Sequence, residues 1–190
     1  MTDKEYILLK NSILKLKDEK EKEKILKEIK QYNKELIKNY PFLMPYRVVT
    51  GEPLENYDYE FTWLDDMEDG WRIAFGIQMM EELKEALIKI NFLDKYKLMQ
   101  VKEKYGSLRW YDNGHSNEMN NIIAKYEDLS ERTCGFCGEK AEFISKGWIY
   151  PYCKKCANEF IENSIKRHGN KDTFEDEFKN NFNKIEEVYY

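Results

Sequence analysis

The four cysteines of this chain fall in two pairs, Cys134-Gly-Phe-Cys137 and Cys153-Lys-Lys-Cys156, with 15 residues between them. This spacing constrains the fold more than any other feature. Two thiolates separated by two residues bend around one tetrahedral ion, and a second such pair completes four sulfur ligands, the pattern of a zinc ribbon. Gly135 and Gly138 allow tight turns that aim backbone N–H groups at sulfur. The second pair opens a helix, whose free N–H groups and dipole favour thiolate charge. Trp148, Ile149 and Tyr150 lie between the pairs and are expected to form a short hairpin strand over the site. Four cysteine ligands leave no coordination position for water or substrate. The expected Zn2+ is therefore structural, stabilising a ribbon too small to fold by burial alone. Lys140, Lys146, Lys154 and Lys155 surround it. They are read mainly as compensation for a doubly negative zinc–thiolate centre, with a binding patch as the second reading.

The rest of the chain supplies enough apolar surface for a core. Of 190 residues, 42% are hydrophobic, and 14 Tyr, 10 Phe and 4 Trp bury large areas each, which excludes a wholly disordered chain. The start, MTDKEYILLK, has no signal-peptide pattern, and no run of about 18 apolar residues exists to span a membrane. A cytoplasmic protein is expected, where cysteines favour metal over disulfides. Net charge is −5. Residues 41–100 hold 12 acids and 6 bases, whereas residues 1–40 hold 8 acids and 11 bases. A protein that grips phosphates by charge usually carries a basic excess, so nucleic-acid binding is not favoured.

Periodicity outlines an α+β chain. Residues 3–39 read as helix, with Leu9, Ile13 and Leu16 as one stripe and Ile25, Ile29, Tyr32 and Leu36 as another. The two are out of phase across "KDEKEKEK", so the segment is a helical hairpin or one long helix with a register break. It packs on the core or self-associates. Pro41 and Pro45 end it. Residues 46–63 look extended, with Gly51 and Pro53 marking a turn. Trp71, Phe75, Met79, Leu83, Leu87 and Ile90 line one side of a helix over 71–90. "KLMQVKEKYGSLRWYDNG" reads as a hairpin turning at Tyr105-Gly106-Ser107. A helix over 116–131 follows, capped by Ser116. Another, marked by Ala157, Phe160, Ile161 and Ile165, ends near Gly169. The tail 172–190 forms one more helix or orders on binding. This divides the chain into a helical N-terminal segment (1–40), an α+β core with a small antiparallel sheet (41–132), a zinc ribbon with its helix (133–170) and a tail (171–190).

One stretch raises a functional question. "YDYEFTWLDDMEDGW", residues 57–71, holds six acids. Tyr57, Tyr59, Phe61 and Trp63 alternate with Asp58, Glu60 and Thr62, which reads as a strand with an aromatic and an acidic face. Glu68 and Asp69 sit where they complement the positive end of the following helix. Asp58, Glu60, Asp65 and Asp66 are either a solvated face or a docking site for a basic partner. Their spacing matches no calcium loop. The only histidines, His115 and His168, sit in no catalytic motif and read as surface residues, and no nucleophile elbow or P-loop is present. A non-enzymatic protein is expected.

Four stretches, "DGWRIAFG" (69–76), "VKEKYGSLRWYDNG" (101–114), "LSERTCGFCG" (129–138) and "GWIYPYCKKC" (147–156), resemble, in this order, a family of uncharacterised phage and prophage zinc-ribbon proteins. The likeness covers roughly residues 40–160. Ser107 stands where the family commonly has a second glycine. What the resemblance implies is context: a small prophage protein that works by binding a host protein. A CRISPR or other defence nuclease is the implied target, and acidic residues would occupy its basic groove. The alternative is a nucleic-acid-binding or regulatory zinc-ribbon protein using Lys102, Lys104, Arg109 and the ribbon lysines.

Overall fold

The computed structural model describes residues 1–47, 50–52, 54–114, 116–168 and 173–189, and the fold is α+β. Pro53, His115 and Gly169 lie outside the described residues. The N-terminal segment is two helices, α1 (Asp3–Ile13) and α2 (Glu19–Asn39). The break falls inside the charged run because Asp18 caps α2, its carboxylate accepting from the N–H groups of Lys20 and Glu21. On α2 the expected stripe turns inward: Ile29 and Leu36 are buried, and Ile25 and Tyr32 are partly so. On α1 the expected stripe is displaced. Asp3, Tyr6 and Ile7 are buried, while Leu14 is 86% exposed. Apolar residues stand on several sides of this helix. Its phase is set instead by a buried ion pair that Asp3 makes with Arg72.

The core helix starts at α3 (Asp69–Trp71), passes through a π-helical turn over Arg72–Gly76 and continues as α4 (Ile77–Lys89). Trp71, Phe75, Met79, Leu83 and Leu87 are buried as expected, whereas Ile90 is exposed. Steps of four residues overshoot an α-helical turn by about 40° each, and one wider turn offsets part of that drift. Strands β1 (Leu98–Lys104) and β2 (Ser107–Asp112) form the expected antiparallel hairpin, pairing Val101 with Trp110 and Lys104 with Ser107. Tyr105 and Gly106 both have positive φ, 55° and 77°, as a two-residue turn that follows strand twist requires. Helix α5 (Asn117–Ser130), capped by Ser116, brings Met119 and Tyr126 into the same core. Among the described residues no helix is long and apolar enough to cross a membrane.

The C-terminal part holds a second sheet of β3 (Phe143–Ser145), β4 (Pro151–Tyr152) and β5 (Phe182–Lys184), in the order β4-β3-β5 and antiparallel throughout. Two expectations change here. The return strand is Pro151–Tyr152, and Trp148 sits on the loop between β3 and β4, 73% exposed. The tail is not one helix: α7 (Phe174–Asn181) leads into β5 and then α8 (Ile185–Tyr189). Phe182 of β5 packs 5.0 Å from Tyr152 and 5.7 Å from Phe160 of α6 (Lys154–His168). The ribbon's third strand thus comes from the far end of the chain.

Candidate metal centre

The bridge between Thr133 and Lys140 opens a tight loop that carries the first cysteine pair. Within it Cys134 N–H donates to Glu139 O (2.8 Å) and Gly138 N–H to Cys134 O (3.0 Å). Cys153 follows β4 directly and Cys156 lies in the first turn of α6, where its N–H donates to Cys153 Sγ at 3.4 Å. All four Sγ atoms lie within 4.8 Å of one another. Tetrahedral thiolates at about 2.3 Å from one ion stand about 3.8 Å apart; Cys137 and Cys153 Sγ are 3.5 Å apart and the whole set spans at most 4.8 Å, so small side-chain shifts fit it to a metal. Cys134 and Cys153 are buried, Cys137 and Cys156 half-buried. Burial pushes the Cys137 thiol up to about 11, against the Glu139 backbone. Burial opposes the Cys153 thiolate too, but the Cys156 N–H and neighbouring thiols outweigh it and hold that thiol below its ordinary value. Burial raises the Cys156 thiol as well, so at Cys137 and Cys156 the thiolate charge lacks compensation that a divalent cation would supply.

The loop owes its seat to a residue that periodicity does not mark. Gly70 N–H donates to Gly135 O at 2.7 Å. A Cβ at Gly70 would stand 2.1 Å from Cys134 O and 2.7 Å from Gly138 N. The start of the core helix therefore touches the cysteine loop backbone to backbone. Trp71 Nε1 donates to Thr133 O at 3.0 Å, and its ring stacks on Tyr150 with centroids 6.4 Å apart. The two loop glycines have different reasons. Gly138 adopts φ +82°, as expected of a tight turn. Gly135 does not have positive φ; a Cβ there would meet the Tyr150 hydroxyl at 2.2 Å.

The acidic stretch is not a strand. Tyr59 has φ +66° and Asn56 φ +56°, which bends the backbone, and Trp63–Asp66 is a 3-10 turn. The bend gathers the Tyr57, Tyr59 and Phe61 rings, and buried Asn33 donates to Tyr59 O at 2.8 Å. The four candidate docking acids part company. Asp58 and Glu60 are exposed, and Lys30 reaches both at 2.7 and 3.0 Å; that contact holds the Asp58 carboxyl below its ordinary value. Asp65 turns inward, its side chain 7% exposed, and accepts from Arg72 Nη1 (3.0 Å), the Tyr6 hydroxyl (2.8 Å), Thr62 N–H (2.7 Å) and Lys10. Burial works to raise the Asp65 carboxyl, and Arg72 and Lys10 outweigh it and lower it. Asp66 stays on the surface, raised first by desolvation and then by Asp65. Asp65 thus belongs to the interior rather than to an acidic face.

Arg72, inside "DGWR", is the residue sequence reasoning passed over. It is 2% exposed, bonds Asp3 through Nε at 2.8 Å, and lies 4.1 Å from the Tyr6 ring centroid. A charged residue in an otherwise apolar stripe was the available signal. Glu68 is also engaged, accepting from the Tyr150 hydroxyl at 2.5 Å. Of the bases in the nucleic-acid alternative, Arg109 is turned onto its own strand, donating to Ser107 Oγ (2.6 Å) and Leu108 O (2.9 Å). Lys102 and Lys104 lie over the Tyr111 and Tyr105 rings. Four closely spaced cysteines remain the one His/Cys/Asp/Glu group placed to hold a metal ion among the described residues. Comparison of the chain with protein-family models, with curated proteins and with solved structures gives no match.

Proposed function

We propose that this protein is a zinc-stapled, non-catalytic binding module that acts by docking on a host macromolecule. The observation that carries the reading is the cysteine set: four sulfurs within 4.8 Å, seated on the start of the core helix. Four thiolates fill a tetrahedral shell, so zinc there holds elements together and offers no site to a substrate. What the staple holds together is a surface: the β3–β4 loop with Trp148, the cysteine loop with Phe136, and the acids before α3. The phage and prophage resemblance suggests the partner, a defence nuclease such as a CRISPR effector, which the protein would inhibit by occupying its nucleic-acid groove.

Two measurements test this. Elemental analysis of protein purified without added metal is expected to give one zinc per chain; none, or a labile metal lost on dialysis, overturns the staple. A tagged pull-down from the bacterial host, with and without nuclease treatment, is expected to retain a single protein after digestion. Recovery of nucleic acid alone would favour the alternative of a nucleic-acid-binding zinc ribbon. One observation bears on that alternative: Arg132, Lys140 and Lys184, with Glu142 and Glu186 among them, line a cavity of about 440 Å³ beside the ribbon sheet, a small basic excess.

A further inference from the structure

The exposed rings of the ribbon are not scattered. Phe136 (53% exposed), Trp148 (73%) and Phe160 (43%) surround the largely buried rings of Tyr150 and Tyr152, forming a cleft of about 440 Å³ with Glu68 in its wall. Phe136 lies 5.0 Å from each tyrosine ring, and Phe160 lies 5.9 Å from Tyr152. The cleft is built from both ends of the metal centre: Phe136 stands between Cys134 and Cys137, and Tyr152 precedes Cys153. Trp148 is held by an indole N–H donated to Glu103 Oε2 at 3.2 Å.

Its charge is one-sided. Glu68 accepts a bond from Tyr150, and Glu103 accepts from Trp148 and from Gly106 N–H, but no Lys or Arg pairs with either among the described residues. Desolvation, with Glu103 and Asp69 nearby, holds the Glu68 carboxyl above its ordinary value. Aromatic faces present negative potential. A purely apolar occupant would strip more water from Glu68 and return no partner, which costs free energy. A cation offsets that cost and gains from the ring faces.

We propose that this aromatic cleft receives a cationic side chain, a lysine or arginine, from a protein partner, with Glu68 as its counter-ion. The inference rests on the reading of the protein as a protein-binding module and names the chemistry of the contact.

The test is calorimetric titration of the intact, metal-loaded protein with a glycine–arginine repeat heptapeptide. Its citrulline counterpart, equal in shape but uncharged, and its leucine counterpart serve as comparisons. Saturable binding of the arginine peptide is expected, at least tenfold weaker for the citrulline peptide. Binding is also expected to be at least tenfold weaker in Glu68→Gln and in Trp148→Ala, and unchanged in Glu23→Gln, which removes an acid from the exposed face of α2. Equal binding of citrulline or leucine peptide would overturn the proposal, as would arginine binding that survives Glu68→Gln or falls equally in Glu23→Gln. Glu68→Gln keeps the acceptor for Tyr150, so the test stands even where Trp148→Ala disturbs the loop. Undiminished capture of the protein partner by the Glu68→Gln, Trp148→Ala double variant would overturn the cleft while leaving the binding-module reading intact.

Discussion

Arg72 is a buried charge that ties distant segments together. It joins Asp3 on α1 to Asp65 in the 3-10 turn, so the N-terminal helices are attached to the core through a buried guanidinium as well as through apolar packing. Removing it leaves two carboxylates with side chains only 7% exposed and no buried counter-charge from Arg72. Arg72→Ala is expected to lower unfolding free energy by about 3–5 kcal/mol, and Arg72→Lys to recover only part, because an ammonium does not span both acids as a planar fork does. Denaturant melts of the three proteins check this. The pH dependence follows from the depressed Asp65 carboxyl. A group whose native pKa lies below its unfolded value contributes stability that is full above the unfolded value. That contribution is lost as pH falls through the native one. The Asp65 contribution is therefore complete at pH 7 and declines below its ordinary 3.8. Asp65→Asn is expected to be less stable at neutral pH and to show a flatter stability curve between about pH 5 and pH 2. An unchanged acid limb in thermal melts would contradict that role.

At the level of elements, the core helix meets the cysteine loop backbone to backbone, with no room for a Cβ at Gly70. The atoms that a Gly70 Cβ would strike are backbone atoms of Cys134, Gly135 and Gly138, which no side-chain rotation moves aside. Gly70→Ala is expected to cost about 3 kcal/mol and to lower retained metal. A variant that keeps both wild-type melting temperature and metal content would show that the contact yields cheaply. The tail is the other decisive element. Phe182 is 4% exposed, and β5 supplies the partners of Phe143, Ile144 and Ser145. Deleting residues 173–190 uncovers those groups and one edge of the ribbon sheet. The truncated chain is expected to become sensitive to protease in the ribbon and prone to association through the unpaired edge, read by limited proteolysis and light scattering.

For the whole molecule, the two largest apolar cores among the described residues meet at the four-cysteine cluster. The larger gathers the core helix, the β1–β2 hairpin, α5 and the end of α2, and the smaller gathers the ribbon with α6, β5 and the Phe178 side chain. The link between them runs through Gly70, Trp71, Thr133 and Tyr150, all against or beside the cysteine loop. Removing the metal should therefore uncouple the two rather than unfold one at random. Chelation, or Cys153→Ser, is expected to melt the ribbon at lower temperature while the larger core keeps its own transition. Calorimetry is expected to change from one transition to two; a single transition shifted as a whole would mean that the cores unfold together without the ion.

Much of this was legible from residue order, because the signals are local. The spacing of Cys134, Cys137, Cys153 and Cys156 dictates a four-sulfur cluster, since two-residue gaps fold back within a few ångströms of one ion. The helices read over 71–90 and 116–131, and the Tyr105-Gly106 turn, follow from periodicity and from backbone conformations that few residues adopt, and the structure places them within a few residues of those bounds. Features that depend on what a distant segment supplies were decided only in three dimensions. The alternation of Tyr57, Asp58, Tyr59 and Glu60 imitates a strand, but the structure has no strand there, and Asn33 and Lys30 hold a bent chain instead. Asp65 reads as surface charge until Arg72, Tyr6 and Lys10 converge on it. Residues 182–184 have no strand pattern of their own, and pairing with β3 gives them one. An amino-acid sequence determines its short-range geometry directly; which carboxylates are buried, and which rings gather around Glu68, depends on distant segments meeting in one place, as Glu68 and Tyr150 do across 82 positions.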